Sequence, residues 1–220
     1  MFLFSFIAPT LNWVLVLSRL IVANNVSATG RNIIANQLQF RLGITIELIM
    51  SAGLIVLGLA LYAILKRANR NLALLALLWK LAEAAIAAAI VLVSFIALQV
   101  LTGEAQVTGF TPEQLQVPAG LILNAHTAIF SVPMVFLGLD MMLFSYLFFI
   151  SRYIPRILAG FGILSFALIF IHALMFMLAP EYATVPINQV IFWAPSGLFE
   201  IMIGVWLLVK GVNVQPDSIE

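Results

Sequence analysis

The chain has 220 residues, 64% of them hydrophobic and only 9% charged, with a mean hydropathy of +1.15. A soluble domain carries roughly 45 to 50% apolar and about 25% charged residues, so this composition excludes an ordinary soluble protein and makes the lipid bilayer its solvent. Lys and Arg total 10 against 9 Asp and Glu, a net charge of +1 that leaves no basic surface for nucleic acid, and the absence of cysteine excludes disulfides, thiolate metal sites and cysteine nucleophiles.

A spanning helix takes about 20 mostly apolar residues. Six stretches meet that length: 2–22, 42–65, 72–101, 121–150, 157–178 and 187–209. The expected fold is therefore all-α, a bundle of six transmembrane helices forming one transmembrane domain over 1–220. No Lys or Arg precedes the first apolar run and Arg19 lies near its far end, so it reads as a retained helix rather than a secretory signal. Between the first two spans, Ile33, Ile34, Leu38 and Leu42 recur at helical spacing and suggest an interfacial helix leading into the second span. The third and fourth stretches are longer than a bilayer requires, which predicts tilting, kinking or projection, with Pro133 a natural kink site in the fourth. Ahead of it, Thr111-Pro112-Glu113-Gln114 reads as a capping box that opens a short helix, which Pro118 would end.

The joints alternate in charge. Lys66, Arg67 and Arg70 lie between the second and third spans, Arg152 and Arg156 between the fourth and fifth, and Lys210 after the sixth. The connections after the third and fifth carry Glu104, Glu113 and Glu181 and no basic residue. Placing the first set in the cytoplasm satisfies the positive-inside rule and puts both termini there; Arg19, Arg31 and Arg41 oppose this without reversing it.

Charged residues at a helix centre cost about 2.5 to 3.5 kcal/mol on insertion scales, so each must be paired, solvated or neutralised. The candidates are Glu47, Lys80, Glu83, Asp140 and Glu200. At 1.5 Å per residue, Lys80 and Glu83 lie about 12 and 17 Å from the basic start of their span, Asp140 and Glu200 about 15 and 14 Å from the basic ends of theirs. Four ionisable groups on three helices thus share a layer near the midplane. Lys80 and Glu83, three apart, lie on one face and are followed by an alanine-rich stretch that lets another helix approach. Glu200 lies between Ser196 and Gly204 at four-residue spacing, and Glu47 likewise between Gly43 and Ser51, nearer the outer surface. One ammonium faces three carboxylates in the layer, so a proton or a bound cation must balance the excess. Such groups are the raw material of proton-coupled transport, and equally of helix registration by buried polar pairs.

His126 and His172 fall where antiparallel neighbours could bring them to one depth, which would suit a b-type haem; the plainer role is hydrogen bonding to a neighbouring helix. No phosphate-binding glycine loop, HExxH, GxSxG or paired loop carboxylates occur, so no enzyme and no resident cofactor are expected. Gly160-Phe161-Gly162 is a helix-packing notch, and Trp193 and Trp206 fall near opposite ends of the last span, as interfacial anchors do.

Phe40-Arg41-Leu42-Gly43, Asn69-Arg70-Asn71-Leu72-Ala73-Leu74, Tyr153-Ile154-Pro155-Arg156-Ile157-Leu158 and Trp206-Leu207-Leu208-Val209-Lys210-Gly211-Val212-Asn213 occur in that order. With these strings the chain resembles a bacterial membrane-protein family catalogued as domain of unknown function four-three-eight-six. The resemblance implies a multi-pass protein of the bacterial inner membrane and brings no catalytic or ligand residues. Against that family's pattern, Phe199 stands where a glycine is common and Asp140 where an aromatic or a histidine is common, so a site built on Asp140 belongs to this chain first. The expected function is binding or movement of a small solute with a proton at Glu83, Lys80, Asp140 and Glu200. A haem- or pigment-binding electron-transfer subunit and a non-catalytic accessory subunit of a membrane complex are the alternatives.

Overall fold

The structure is a computed structural model that describes residues 2–22, 25–103 and 112–212. Among the described residues all regular structure is helical. The helices are α1 (Phe2–Leu20), α2 (Val26–Ala35), α3 (Gln37–Leu65), α4 (Arg70–Leu101), α5 (Pro112–Asn124), α6 (Ser131–Ser151), α7 (Arg156–Leu178) and α8 (Pro186–Val209), with single turns at His126–Ile129 and Pro180–Ala183. Six of them, α1, α3, α4, α6, α7 and α8, are long and apolar enough to cross a membrane. Helices are the only open structure that satisfies its own backbone in lipid, which is why apolar length alone dictates this architecture. The exterior is correspondingly greasy, with residues such as Leu78, Leu92, Ile96 and Leu164 more than half exposed.

The six spans close into a ring in which α1 packs on α3, α3 on α4, α4 on α6, α6 on α7, α7 on α8 and α8 back on α1. Two buried apolar clusters fill it. One joins Phe2, Leu57, Leu61, Leu65, Phe144 and Phe199 toward the end where the basic hairpins lie, and the other joins Leu17, Ile33, Phe40, Leu98, Leu101 and Leu123 toward the opposite end. With 32 residues, α4 is about 48 Å long, well beyond a hydrocarbon core of about 30 Å. Its surplus is covered by protein: α2 and α5 pack on it and on each other, with Gly30 beside Leu101 and Val26 against Gly120. Asn25 caps α2 by accepting the Ala28 N–H at 2.9 Å.

Three sequence expectations need correction here. The fourth span begins at Ser131 rather than near residue 121, because the chain turns at Ala125 and Phe130 between α5 and α6. Pro133 does not kink a long helix; it lies in the first turn of α6, where its missing N–H costs nothing and the helix ahead of it has already stopped. Pro118 does not end α5, which continues to Asn124 because Ala119 and Leu123 beyond it are buried in the outer cluster. The capping-box threonine, Thr111, lies outside the described residues, as do the side chains of Pro112 and Glu113. The first span ends at Leu20, after a π-helical turn over Trp13–Leu17.

Close approach of α6 and α7 rests on glycine. A Cβ at Gly138 would lie 2.8 Å from the Phe170 backbone nitrogen, and one at Gly162 would lie 2.5 Å from the Phe199 ring, so the Gly160-Phe161-Gly162 notch receives α8. Gly160 itself has no neighbour nearer than 3.9 Å to such an atom. Gly138→Ala should therefore push α6 from α7 and destabilise the detergent-purified protein by about 1–3 kcal/mol, whereas Gly160→Ala should unfold within a degree or so of the parent in a thermal melt.

Candidate functional site

The midplane residues are assembled by helix rotation. On α4, Lys80 and Glu83 face inward three residues apart, and the ammonium nitrogen of Lys80 donates to Glu83 Oε2 at 2.7 Å. The same nitrogen lies 2.8 Å from Asp140 Oδ1 on α6. Lys80 and Asp140 are 0% exposed and Glu83 is 2% exposed, so two carboxylates flank one ammonium away from water. The aliphatic stem of Lys80 needs a slot through the packed ring, and Gly58 on α3 supplies it: a Cβ there would fall 2.9 Å from Lys80 Cγ. Neither Asp140 oxygen has an aligned hydrogen bond from the described residues, so attraction to Lys80 is what holds that carboxylate.

Glu200 lies on α8, half-buried, and is reached from α1, where Ser5 Oγ donates to its Oε2 at 3.3 Å. The small-residue stripe around it faces α1 as well, with Gly197 against Phe6 and Gly204 against Leu3. Glu200 thus makes a polar contact between α8 and α1, beside the one Lys80 makes between α4 and α6. Ser5 carries no signal in the sequence, because a serine in an apolar helix can satisfy itself on the preceding turn, and the Phe2 carbonyl at 2.8 Å shares or competes for the one proton that Ser5 offers Glu200.

Glu47 does not join this group. Gly58 marks the level of Lys80 on α3, and Glu47 lies eleven residues from it, about 16 Å toward the opposite end. Its stripe faces α1 there: Gly43 accepts a 3.2 Å hydrogen bond from Asn12 Nδ2, and Ser51 donates to the Glu47 carbonyl at 3.0 Å.

Of the two histidines, the structure describes the side chain of His172. His172 is 2% exposed and both its ring nitrogens are used. Nδ1 accepts from the Trp193 indole N–H at 3.0 Å, which leaves Nε2–H to donate to the Ala183 carbonyl at 3.1 Å. With Phe176, Phe192 and Trp193 rings packed around it, this neutral imidazole ties α7 to α8 and to the Pro180–Ala183 turn and has no lone pair free for iron. Trp193 is thus a hydrogen-bonding partner as well as an end-of-span aromatic. His126 begins the turn between α5 and α6, and its side chain lies outside the described residues. Among the described residues no cluster of three or more His, Asp or Glu is arranged to hold a metal ion.

Chemically, the site holds charged groups at low dielectric. One ammonium balances one carboxylate, and the second carboxyl on Lys80 together with Glu200 calls for a proton or a cation. Removing the ammonium should expose that imbalance. Lys80→Met is expected to destabilise the protein by about 3–5 kcal/mol, and combining it with Glu83→Gln and Asp140→Asn should recover most of the loss. Thermal unfolding of the purified variants measures both steps.

No curated protein and no solved structure matches the chain. A family model matches it over residues 1–211, which is nearly its whole length and includes every helix of the ring. The family is described as "Domain of unknown function (DUF4386)", and the chain belongs to it.

Proposed function

We propose that this protein binds or moves a small solute together with a proton, using the midplane group formed by Lys80, Glu83, Asp140 and Glu200. The observation that carries the reading is the sharing of one buried ammonium between two carboxylates, with a third carboxyl held between α8 and α1 by a single hydroxyl. In this reading Glu83 and Glu200 carry protons and Lys80 is the counter-ion. A proton arriving on Glu83 leaves Lys80 with Asp140 alone, and its departure restores the shared bridge. Because Lys80 bridges α4 to α6 while Glu200 bridges α8 to α1, each change of protonation alters the attraction between neighbouring spans. The excess of carboxyl groups over ammonium disfavours an anionic solute. A purely structural use of the same groups is the competing role, and it makes the opposite prediction about the glutamates.

Proteoliposomes on a solid-supported membrane, challenged with a pH jump and with the proton as the probe, test this. The parent should give a transient proton-driven current that Glu83→Gln and Glu200→Gln abolish while both variants remain folded. A parent without current, together with glutamine variants that melt at higher temperature, would replace the transport reading by a packing role.

We further place the protein in the bacterial cytoplasmic membrane with the basic hairpins and both ends of the chain in the cytoplasm, on the strength of Lys66, Arg67, Arg70, Arg152, Arg156 and Lys210 sharing one end of the bundle. The chain has no cysteine, so single-cysteine variants report cleanly. In intact cells a membrane-impermeant thiol reagent should label Thr184→Cys and should label Asn71→Cys only after lysis; the reverse pattern would invert the topology.

A further inference from the structure

At the basic end of the bundle, the hairpin between α6 and α7 encloses an open hollow of about 490 Å3, lined by Arg152, Tyr153, Pro155, Arg156, Ile157 and Trp206. Both arginines are exposed, and neither forms an ion pair among the described residues. The backbone of Arg152 and the guanidinium of Arg156 are each held by other means. Arg152 takes the left-handed conformation (φ 59°) that ends α6, a strained backbone for a residue with a side chain, and its N–H closes on the Phe148 carbonyl at 3.0 Å. Arg156 lies with its guanidinium carbon 5.5 Å from the centre of the Phe149 ring, which fixes the group by its face and leaves its N–H edge available.

The other basic hairpin, between α3 and α4, is built differently. There Asn69 caps α4 by accepting the Leu72 N–H at 3.0 Å, and Lys66 sits 5.9 Å from the centre of the Tyr62 ring. At α7 the preceding residue is Pro155, whose side chain offers no cap, so the first turn of the helix adds unpaired amides to the positive side of the hollow. The arginine pair and the enclosing hollow, rather than this helix end, define the site.

We infer that this hollow binds a phosphoryl group, and that its natural source is the headgroup of an anionic phospholipid. Forked guanidinium donors suit a phosphate, and Tyr153 and Trp206 are the residue types that sit at headgroup depth. Ile157 lines the hollow yet is 89% exposed, an apolar surface that a soluble phosphate leaves uncovered and an acyl chain covers. The lipid would bind across α6, α7 and α8 at their shared end, clear of the midplane residues.

Thermal unfolding of the full chain in detergent, with phosphatidylglycerol, phosphatidylcholine or inorganic phosphate added, tests the assignment. Phosphatidylglycerol should raise the melting temperature where phosphatidylcholine does not. The combined R152Q/R156Q variant should lose most of that shift, and R67Q/R70Q, in the other basic hairpin, should keep it. Native mass spectrometry gives a second readout, with a retained phosphatidylglycerol adduct in the parent that R156Q alone depletes, so the result stands even where the double variant folds poorly. An equal loss in both hairpin variants, or an unchanged shift in R152Q/R156Q, would overturn the site. An equal stabilisation by inorganic phosphate, lost in R152Q/R156Q, would overturn the lipid as its source and leave a soluble phosphoryl ligand.

Discussion

The arrangement of this bundle depends on where one ammonium ion can be put. Lys80 is fully buried within a long apolar helix, where an unpaired charge is not tolerated, and the ring of helices is organised so that it is met. Gly58 opens a path for its stem, α6 presents Asp140 to its nitrogen, and Glu83 reaches the same nitrogen from one turn along α4. The result is a polar centre enclosed by two apolar clusters, one toward each end of the bundle.

That solution overshoots in charge. A structural bridge needs one carboxylate, and the bilayer makes each additional one expensive unless a proton or cation comes with it. A second carboxylate on the same nitrogen and a third on α8 are the observations on which the proposal of charge exchange rests. The hydroxyl of Ser5 is a weak tether for Glu200, and its position on α1 couples the least enclosed of these carboxyls to the helix that closes the ring. By contrast, the polar group near the other end, His172 with Trp193 and the Ala183 carbonyl, is fully satisfied and neutral, as a purely structural polar contact in lipid should be.

The spans are legible in the sequence because apolar length is a direct physical requirement of the bilayer, and Lys80 with Glu83 is legible because three-residue spacing puts them on one face. The break between α5 and α6 is not, since residues 121–150 are apolar on average and hydropathy over such a window does not register a turn; Asn124, His126, Thr127 and Ser131 cluster at the break, and Pro133 reads equally well as a kink. That Asp140 rather than Glu200 is the second partner of Lys80 depends on the rotation of α6 and α8 about their own axes, which depth along a helix does not contain. Glu47 is expected nearer the outer surface from its place along the second span, and Gly43 of its stripe meets α1 there. His172 suggested a ligand because a histidine in an apolar run lacks an evident partner, whereas its partners come from a backbone carbonyl and an indole that only the packing of α7 on α8 brings near.

The central claim is that the carboxyl excess at the midplane holds an exchangeable proton. Infrared difference spectroscopy of the protein in lipid, between acidic and alkaline buffer, reads protonated carboxyl groups in low-dielectric surroundings directly. The account predicts a protonated carboxyl band that titrates reversibly and that Glu83→Gln or Glu200→Gln diminishes. A spectrum with no such band across the titration would contradict it.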